Sequence, residues 1–268
     1  RYALEQDLSL RIVMNGYTAV VANALVHCNK SEFFYQASKV SATDTAYFKQ
    51  KWKFDPVYST TVRSEVLAMH DFSRKELQVL DIGCACGANL YAINAANPNA
   101  SLYGIELNPH AARVASTFGT VLMENIETFY PADWLGKFDV VLMCDVIEHL
   151  KEPEEALRKV HNMLKPGGVL LASIPNVAHI SVIHDLLCGS WEYVNAGILD
   201  RTHLRFFTRQ TIEEMMGQVG FTITKISANK VDIPLELQKL IVAIRQLPGI
   251  HIAEEDLTTY QYRLKCVK

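Results

Sequence analysis

The sequence predicts an α/β fold: a doubly wound, mostly parallel sheet of seven strands with an antiparallel last strand, preceded by an N-terminal extension. Three observations predict it. From about residue 78 short apolar runs alternate with amphipathic segments, which is the pattern of βαβ units. The first of these runs ends in a small-residue turn, Gly83-Cys84-Ala85-Cys86-Gly87, that opens a helix. The final run, residues 257–267, follows a helical segment and so fits an antiparallel pair at one edge of the sheet.

The elements read in order. Residues 77–82 (LQVLDI) form a buried strand, and residues 89–96 a helix. Residues 101–107 are a strand, followed by a helix over 109–118 opened by Pro109. Residues 120–123 make a short strand and 138–144 (FDVVLMC) a strong one. Over 153–164, Ala156, Leu157, Val160, Met163 and Leu164 recur at helical spacing, and Lys165-Pro166-Gly167-Gly168 stops that helix. A strand over 168–174 follows. Thr208 caps a helix that Gly220 ends, and 221–227 alternates as a strand should. Residues 235–246 are helical. The long segment 176–208, aromatic and rich in His and Arg, reads as an insertion forming a substrate wall.

Bulk properties narrow the function classes. Of 268 residues, 49% are hydrophobic and 21% charged, enough to bury a sizeable core. A formal net charge of −3 argues against a general nucleic-acid or membrane-surface binder, which needs clustered cations. No run of apolar residues is long enough to span a membrane. Cys28, Cys84, Cys86, Cys144, Cys188 and Cys266 form no paired framework and are expected as reduced thiols of a cytoplasmic protein. The chain starts at Arg1 without a signal-peptide layout and reads as a piece of a longer or processed chain.

The chemistry centres on the turn at 83–87. Gly83 permits a tight turn and close approach of a ligand, Gly87 lets the next helix pack closely, and Asp81 puts a carboxylate beneath. Glu106 ends the neighbouring strand, where a carboxylate accepts hydrogen bonds from both hydroxyls of a ribose. A nucleoside cofactor follows. The spacing Gly83-x-Ala85-x-Gly87 is not the G-x-G-x-x-G that cradles a dinucleotide pyrophosphate. A nicotinamide oxidoreductase is therefore the weaker alternative.

Asp81-Ile82-Gly83-Cys84-Ala85-Cys86-Gly87 resembles the first motif of class I S-adenosylmethionine-dependent methyltransferases, D-x-G-x-G-x-G, with Ala85 at the middle glycine. The resemblance covers about residues 77–228 and implies a methyltransferase domain over 56–268. Glu106-Leu107 is similar to the ribose-binding strand end and Asn125-Ile126 to the segment beside the adenine, with Asn125 in place of the usual acid. Residues 138–150 are similar to the fourth-strand motif at the methyl-transfer centre, and Leu164–Gly168 to the turn before the fifth strand. The resemblance implies S-adenosylmethionine as cofactor, bound by Asp81, Gly83, Cys84, Ala85, Gly87, Glu106, Leu107, Asn125, Ile126 and Asp145.

Methyl transfer to a hydroxyl needs a group to take its proton. His149, after the fourth strand, is the first candidate, with Asp145 and His203 beside it. His179, Trp191, Tyr193, Asp200, Arg201 and Arg205 are candidates for an acceptor pocket. Glu148 with His149 shows no full ligand set, and no metal site is expected. O-methylation of a small or carbohydrate-linked acceptor is the expected activity. A partner domain that binds the cofactor without turnover is the other alternative.

Residues 1–55 differ in character. Glu5-Gln6-Asp7-Leu8-Ser9-Leu10-Arg11, Gly16-Tyr17, Val26-His27 and Tyr47-Phe48 with Lys51-Trp52 resemble the tail of a family 2 glycosyltransferase. That resemblance implies Glu5 or Asp7 as its acidic group, His27 as a relic metal ligand, and a glycosyltransferase as partner or parent chain. The nucleotide-sugar half is missing, so no glycosyl transfer is expected. A plain helical extension is the other reading.

Overall fold

A computed structural model of the protein describes residues 49–268 except Pro56 and Lys75. The readings on residues 1–48 lie outside the described residues. Seven strands form one sheet: β1 (Gln78–Ile82), β2 (Ser101–Ile105), β3 (Thr120–Leu122), β4 (Phe138–Cys144), β5 (Leu164–Pro175), β6 (Thr222–Lys230) and β7 (Thr259–Val267). Their order is β3-β2-β1-β4-β5-β7-β6, with β7 antiparallel to both neighbours and the remaining pairings parallel. Strand order reverses between β1 and β4, which places a crevice at their C-terminal ends.

All seven residues of β4 are buried because both faces of the sheet are covered. Alternate residues feed two cores. Leu80, Ile82, Val141 and Met143 face one side, where helix α3 (Pro153–Met163) and helix α5 (Arg209–Val219) supply Leu157, Val160, Ile212 and Met216. Val79, Val140 and Leu142 face the other, against Leu90 and Ile93 of α1 (Ala88–Ala96) and Ala115 of α2 (Pro109–Ala115). The apolar stripe read on residues 153–164 is therefore the core face of α3. Asn108 caps α2 through its side chain, and Thr208 and Thr211 form a reciprocal capping box on α5.

Several details differ from expectation. Helix α2 stops at Ala115, short of Phe118. Strand β5 begins at Leu164, pairs there with Phe138, and resumes its register at Val169 opposite Val140, so Lys165–Gly168 bulges from the strand rather than preceding it. Helices α4 (Ile180–Leu187) and α7 (Glu254–Thr258) went unread. The cap of α4 is His179, whose ring nitrogen accepts from the Ser181 amide at 3.3 Å, a residue outside the usual Ser, Thr, Asp and Asn set. With helix α6 (Leu235–Arg245), these two build a small satellite core around Ile180, Ile241, Ile244 and Leu257.

Among the described residues, no helix is long and apolar enough to cross a membrane. The described cysteines Cys84, Cys86, Cys144, Cys188 and Cys266 are free thiols.

Candidate active site

The crevice is a cavity of about 410 Å³. Its walls are the turn after β1, the end of β2, residues 124–127 after β3, and residues 144–150 after β4. Lys53, Phe54, Asp55, Tyr58, Ser59, Thr61 and Arg63, ahead of the sheet, close one side. Trp52 is buried on α2, its ring edge-on to His110 at 5.3 Å.

The turn is held by its own amides. Gly83 N and Cys84 N donate to Ile105 O at 2.8 and 3.2 Å, Cys86 N to Ser59 O at 3.1 Å, and Gly87 N to Cys84 O at 2.8 Å. Ala85 N donates to Glu106 Oε2 at 2.8 Å. Five successive N–H groups are thus used within the protein, so this turn presents none of them to a pyrophosphate. Gly83 has φ +70°, and an added Cβ would lie 2.7 Å from Val146 Cγ2. Gly87, at φ +79°, makes room not for β1 but for α2: an added Cβ would lie 2.9 Å from Ala115 Cα. Ala85 takes φ +47° with a side chain present.

Glu106 joins the turn to β2. Its second oxygen accepts from Asn108 N at 2.8 Å, which leaves lone pairs on both oxygens for a diol. Asn125 Oδ1 accepts from Glu127 N at 2.9 Å, fixing the amide at the cavity wall. Gly83, Cys84, Ala85, Glu106, Leu107, Asn125, Ile126, Asp145 and His149 line the cavity. Asp81 and Gly87 stand behind the wall. Asp81 is 1% exposed, bonded by Asn89 Nδ2 at 3.3 Å, and burial raises its pKa to about 7.

Asp145, at φ +56° after β4, carries a dense set of partners. Tyr58 Oη donates at 3.2 Å, Arg63 pairs at 3.0 Å, Ser173 Oγ donates at 2.6 Å, and Gln261 donates to the same carboxylate. Tyr58, Arg63, Ser173 and Gln261 were not foreseen, because they lie far from Asp145 in sequence and only tertiary packing brings them together. The Arg63 guanidinium also stacks on Tyr58, 4.6 Å from the ring centre.

On the far side of His149 lies residue 203. The ring centres of His149 and His203 are 4.8 Å apart, edge to face. His149 Nδ1 is 3.1 Å from Thr202 O and His203 Nδ1 is 2.8 Å from Ile198 O. A carbonyl only accepts, so each Nδ1 carries a proton, and in the neutral form of the ring Nε2 then keeps a free lone pair. Burial lowers the His203 pKa, which favours that neutral form. Leu204 N and Arg205 N donate to Glu148 O at 2.8 and 3.1 Å, clamping residues 203–205 of the insertion over the Glu148-His149 turn. Glu148 is 1% exposed, neither carboxylate oxygen has a hydrogen-bond partner, and burial pushes its pKa well above the usual range.

Of the other candidates Asp200 adjoins the histidine pair, His203 N donating to Asp200 O at 2.9 Å. His179 caps α4, Asp200 Oδ1 accepts from Thr202 N at 2.8 Å, and Trp191, Tyr193 and Arg201 are exposed on the insertion. Arg205 Nε donates to Lys151 O at 3.1 Å and Phe207 is buried in the main core.

The profile of a methyltransferase domain family matches residues 56–226. The chain belongs to that family. Its fold is that of class I methyltransferases, and the nicotinamide alternative is set aside. The ubiquinone biosynthesis O-methyltransferase of Azorhizobium caulinodans is 28% identical over 165 residues, covering 59% of this chain and 64% of that protein. Its counterpart from Mesorhizobium japonicum is 27% identical over 191 residues, 66% of this chain and 74% of that protein. The chain matches 43% of the Xanthomonas oryzae enzyme of the same name, at 32% identity over 107 residues and 37% of this chain. A methyltransferase structure from Archaeoglobus fulgidus superposes with a TM-score of 0.55 at 17% identity, over 83% of this chain and 99% of that one. The [4+2]-cyclase SpnF shares the fold with a TM-score of 0.53 at 16% identity, over 76% of this chain and 79% of that one. Fold alone thus leaves the chemistry to the site.

Proposed function

We propose that this methyltransferase acts on a hydroxyl oxygen of a small or carbohydrate-linked acceptor seated against His149. One observation carries the proposal. The cavity is lined by the carboxylate of Glu106 and by the imidazole of His149, which packs edge to face on His203 with ring centres 4.8 Å apart, and each ring turns Nδ1 to a backbone carbonyl. The curated relatives named above are O-methyltransferases. The resemblance of residues 1–55 to a glycosyltransferase tail supports the carbohydrate-linked choice.

The residues present fit the cofactor. The cavity volume lies in the range of small-molecule sites. Glu106 would take the ribose diol, Asn125 and Ile126 the adenine edge, and the cavity acids Glu106, Glu124, Glu127 and Asp145 suit a cation. S-adenosylmethionine supplies a methyl already activated by its sulfonium. The protein aligns the acceptor oxygen and excludes water. Asp145 is a positioning residue, since its partners lock the end of β4. His149 and His203 form the acceptor side, where a hydroxyl loses its proton.

Incubation with methyl-labelled cofactor and a panel of phenolic and sugar acceptors tests the proposal. The expected product is a methyl ether, with kcat falling about 100-fold or more in His149→Ala while cofactor affinity is kept. N-methylated product, or a His149→Ala variant with unchanged kcat, would overturn it.

A further inference from the structure

We propose that Glu148, His149 and His203 form a binding site for one divalent first-row cation of the Mn²⁺ or Zn²⁺ type, at the acceptor end of the cavity. Each residue offers one ligand atom, and these atoms all lie within 4.8 Å of one another. Cations of this kind bind N and O donors at roughly 2.0–2.2 Å, which brings donor atoms to within about 4 Å, a small side-chain adjustment from the arrangement present.

Two further observations point to a ligand. The Glu148 carboxyl is 1% exposed and both its oxygens lack a hydrogen-bond partner. A buried carboxyl group without partners is costly, and a cation coordinated to it would offset that cost. The histidines are prepared in the manner of metal ligands. Each spends Nδ1–H on a backbone carbonyl, Thr202 O or Ile198 O, which leaves Nε2 as the ring atom a cation would take. The backbone serves the same end. Leu204 N and Arg205 N bond Glu148 O and so hold the insertion that carries His203 on the turn that carries the other two ligands.

Two imidazoles and a carboxylate suit a transition cation better than Mg²⁺ or Ca²⁺, which prefer oxygen donors. Three protein ligands leave open positions. His149 lines the cavity, so an open position faces the acceptor. The rest of the argument depends on the hydroxyl-acceptor reading. With their Nε2 lone pairs on the cation, His149 and His203 act as ligands and not as the base: a hydroxyl placed on the cation is acidified and gives its proton to water; its oxygen then bonds the methyl carbon as the carbon–sulfur bond of the donor breaks, leaving a neutral thioether.

The test uses the full chain after chelator treatment. Calorimetric titration with Mn²⁺ and with Zn²⁺ should show a site that Glu148→Gln and His203→Ala each weaken at least tenfold. His184→Ala is the control, because the exposed His184 and Cys188, 3.7 Å apart, are a separate zinc-prone pair. Affinity for S-adenosylhomocysteine, measured in the same variants, should stay within threefold of wild type and so report an intact fold. Absence of binding to the wild type, or binding undiminished in Glu148→Gln and His203→Ala, overturns the site. Binding that passes these controls while methyl transfer is indifferent to added Mn²⁺ and to chelator overturns its role toward the acceptor and leaves the hydroxyl-acceptor reading to the product assay.

Discussion

Asp81 sits beneath the glycine turn with 1% of its surface exposed, and burial raises its pKa from 3.8 to about 7. The folded chain therefore holds a proton that the unfolded chain releases above about pH 4. The stability linked to that proton is fully present below the unfolded pKa and is lost as pH rises through about 7. Three units at about 1.36 kcal/mol each set an upper bound of roughly 4 kcal/mol. Glu148 shifts in the same direction for the same reason. Asp81→Asn should flatten the pH dependence and make the ligand-free protein more stable than wild type at pH 8. Urea unfolding at pH 5 and pH 8 measures this, and an unchanged pH slope would mean Asp81 stays ionised in the fold. Ala85 offers a second residue-scale test. Its φ of +47° strains a side chain that glycine would not have. Ala85→Gly should raise stability by about 0.5–1 kcal/mol, the strain relief exceeding the entropy that glycine adds to the unfolded chain. A loss of stability would show that the Ala85 methyl packs usefully.

At the scale of elements, the packing of α1 depends on one missing methyl group. A Cβ on Gly87 would lie 2.9 Å from the Ala115 backbone and 3.1 Å from Phe118, while φ is +79°. Backbone cannot move aside as a flexible side-chain tip can, so Gly87→Ala should cost about 2–4 kcal/mol. Thermal unfolding checks it, and a change below about 1 kcal/mol would mean α2 shifts freely. The strands were legible because each carries its burial in its composition: β4 is a continuous apolar run covered on both faces, and β7 alternates. Helix α3 was legible for the same reason at a period of 3.6. Helix α4 was not, because its histidine cap resembles no helix-start signal, and the bulge at Lys165–Gly168 was not, because a strand that loses register looks like a turn. Glu106 could be found from its place after β2, whereas Arg63 and Gln261 reach Asp145 only through tertiary packing. The metal candidate hid in the same way: Glu148 and His149 are adjacent in sequence, but His203 comes to them from the insertion.

For the whole molecule, the cavity is assembled from five separated stretches of chain, residues 53–63, 82–89, 105–111, 124–127 and 144–150. Residues 53–63, 82–89, 105–111 and 144–150 are cross-linked rather than merely adjacent. Cys86 N bonds Ser59 O, Ala85 N bonds Glu106, and Asp145 gathers Tyr58, Arg63, Ser173 and Gln261. A ligand in that cavity acts on all five at once, and by mass action stabilises the folded chain by about 2.7 kcal/mol at 100 times its Kd. Among the described residues, the satellite core of α4, α6 and α7 shares no side chain with the cavity wall. S-adenosylhomocysteine should therefore slow amide exchange together in the five stretches, by a similar factor in each, while the locally opening amides of α6 change little. Exchange measured by mass spectrometry at saturating ligand distinguishes the cases. Protection confined to the turn at 83–89 would mean that residues 53–63 do not close on the bound nucleoside. Equal protection in α6 would mean that the satellite core and the cavity open as one unit.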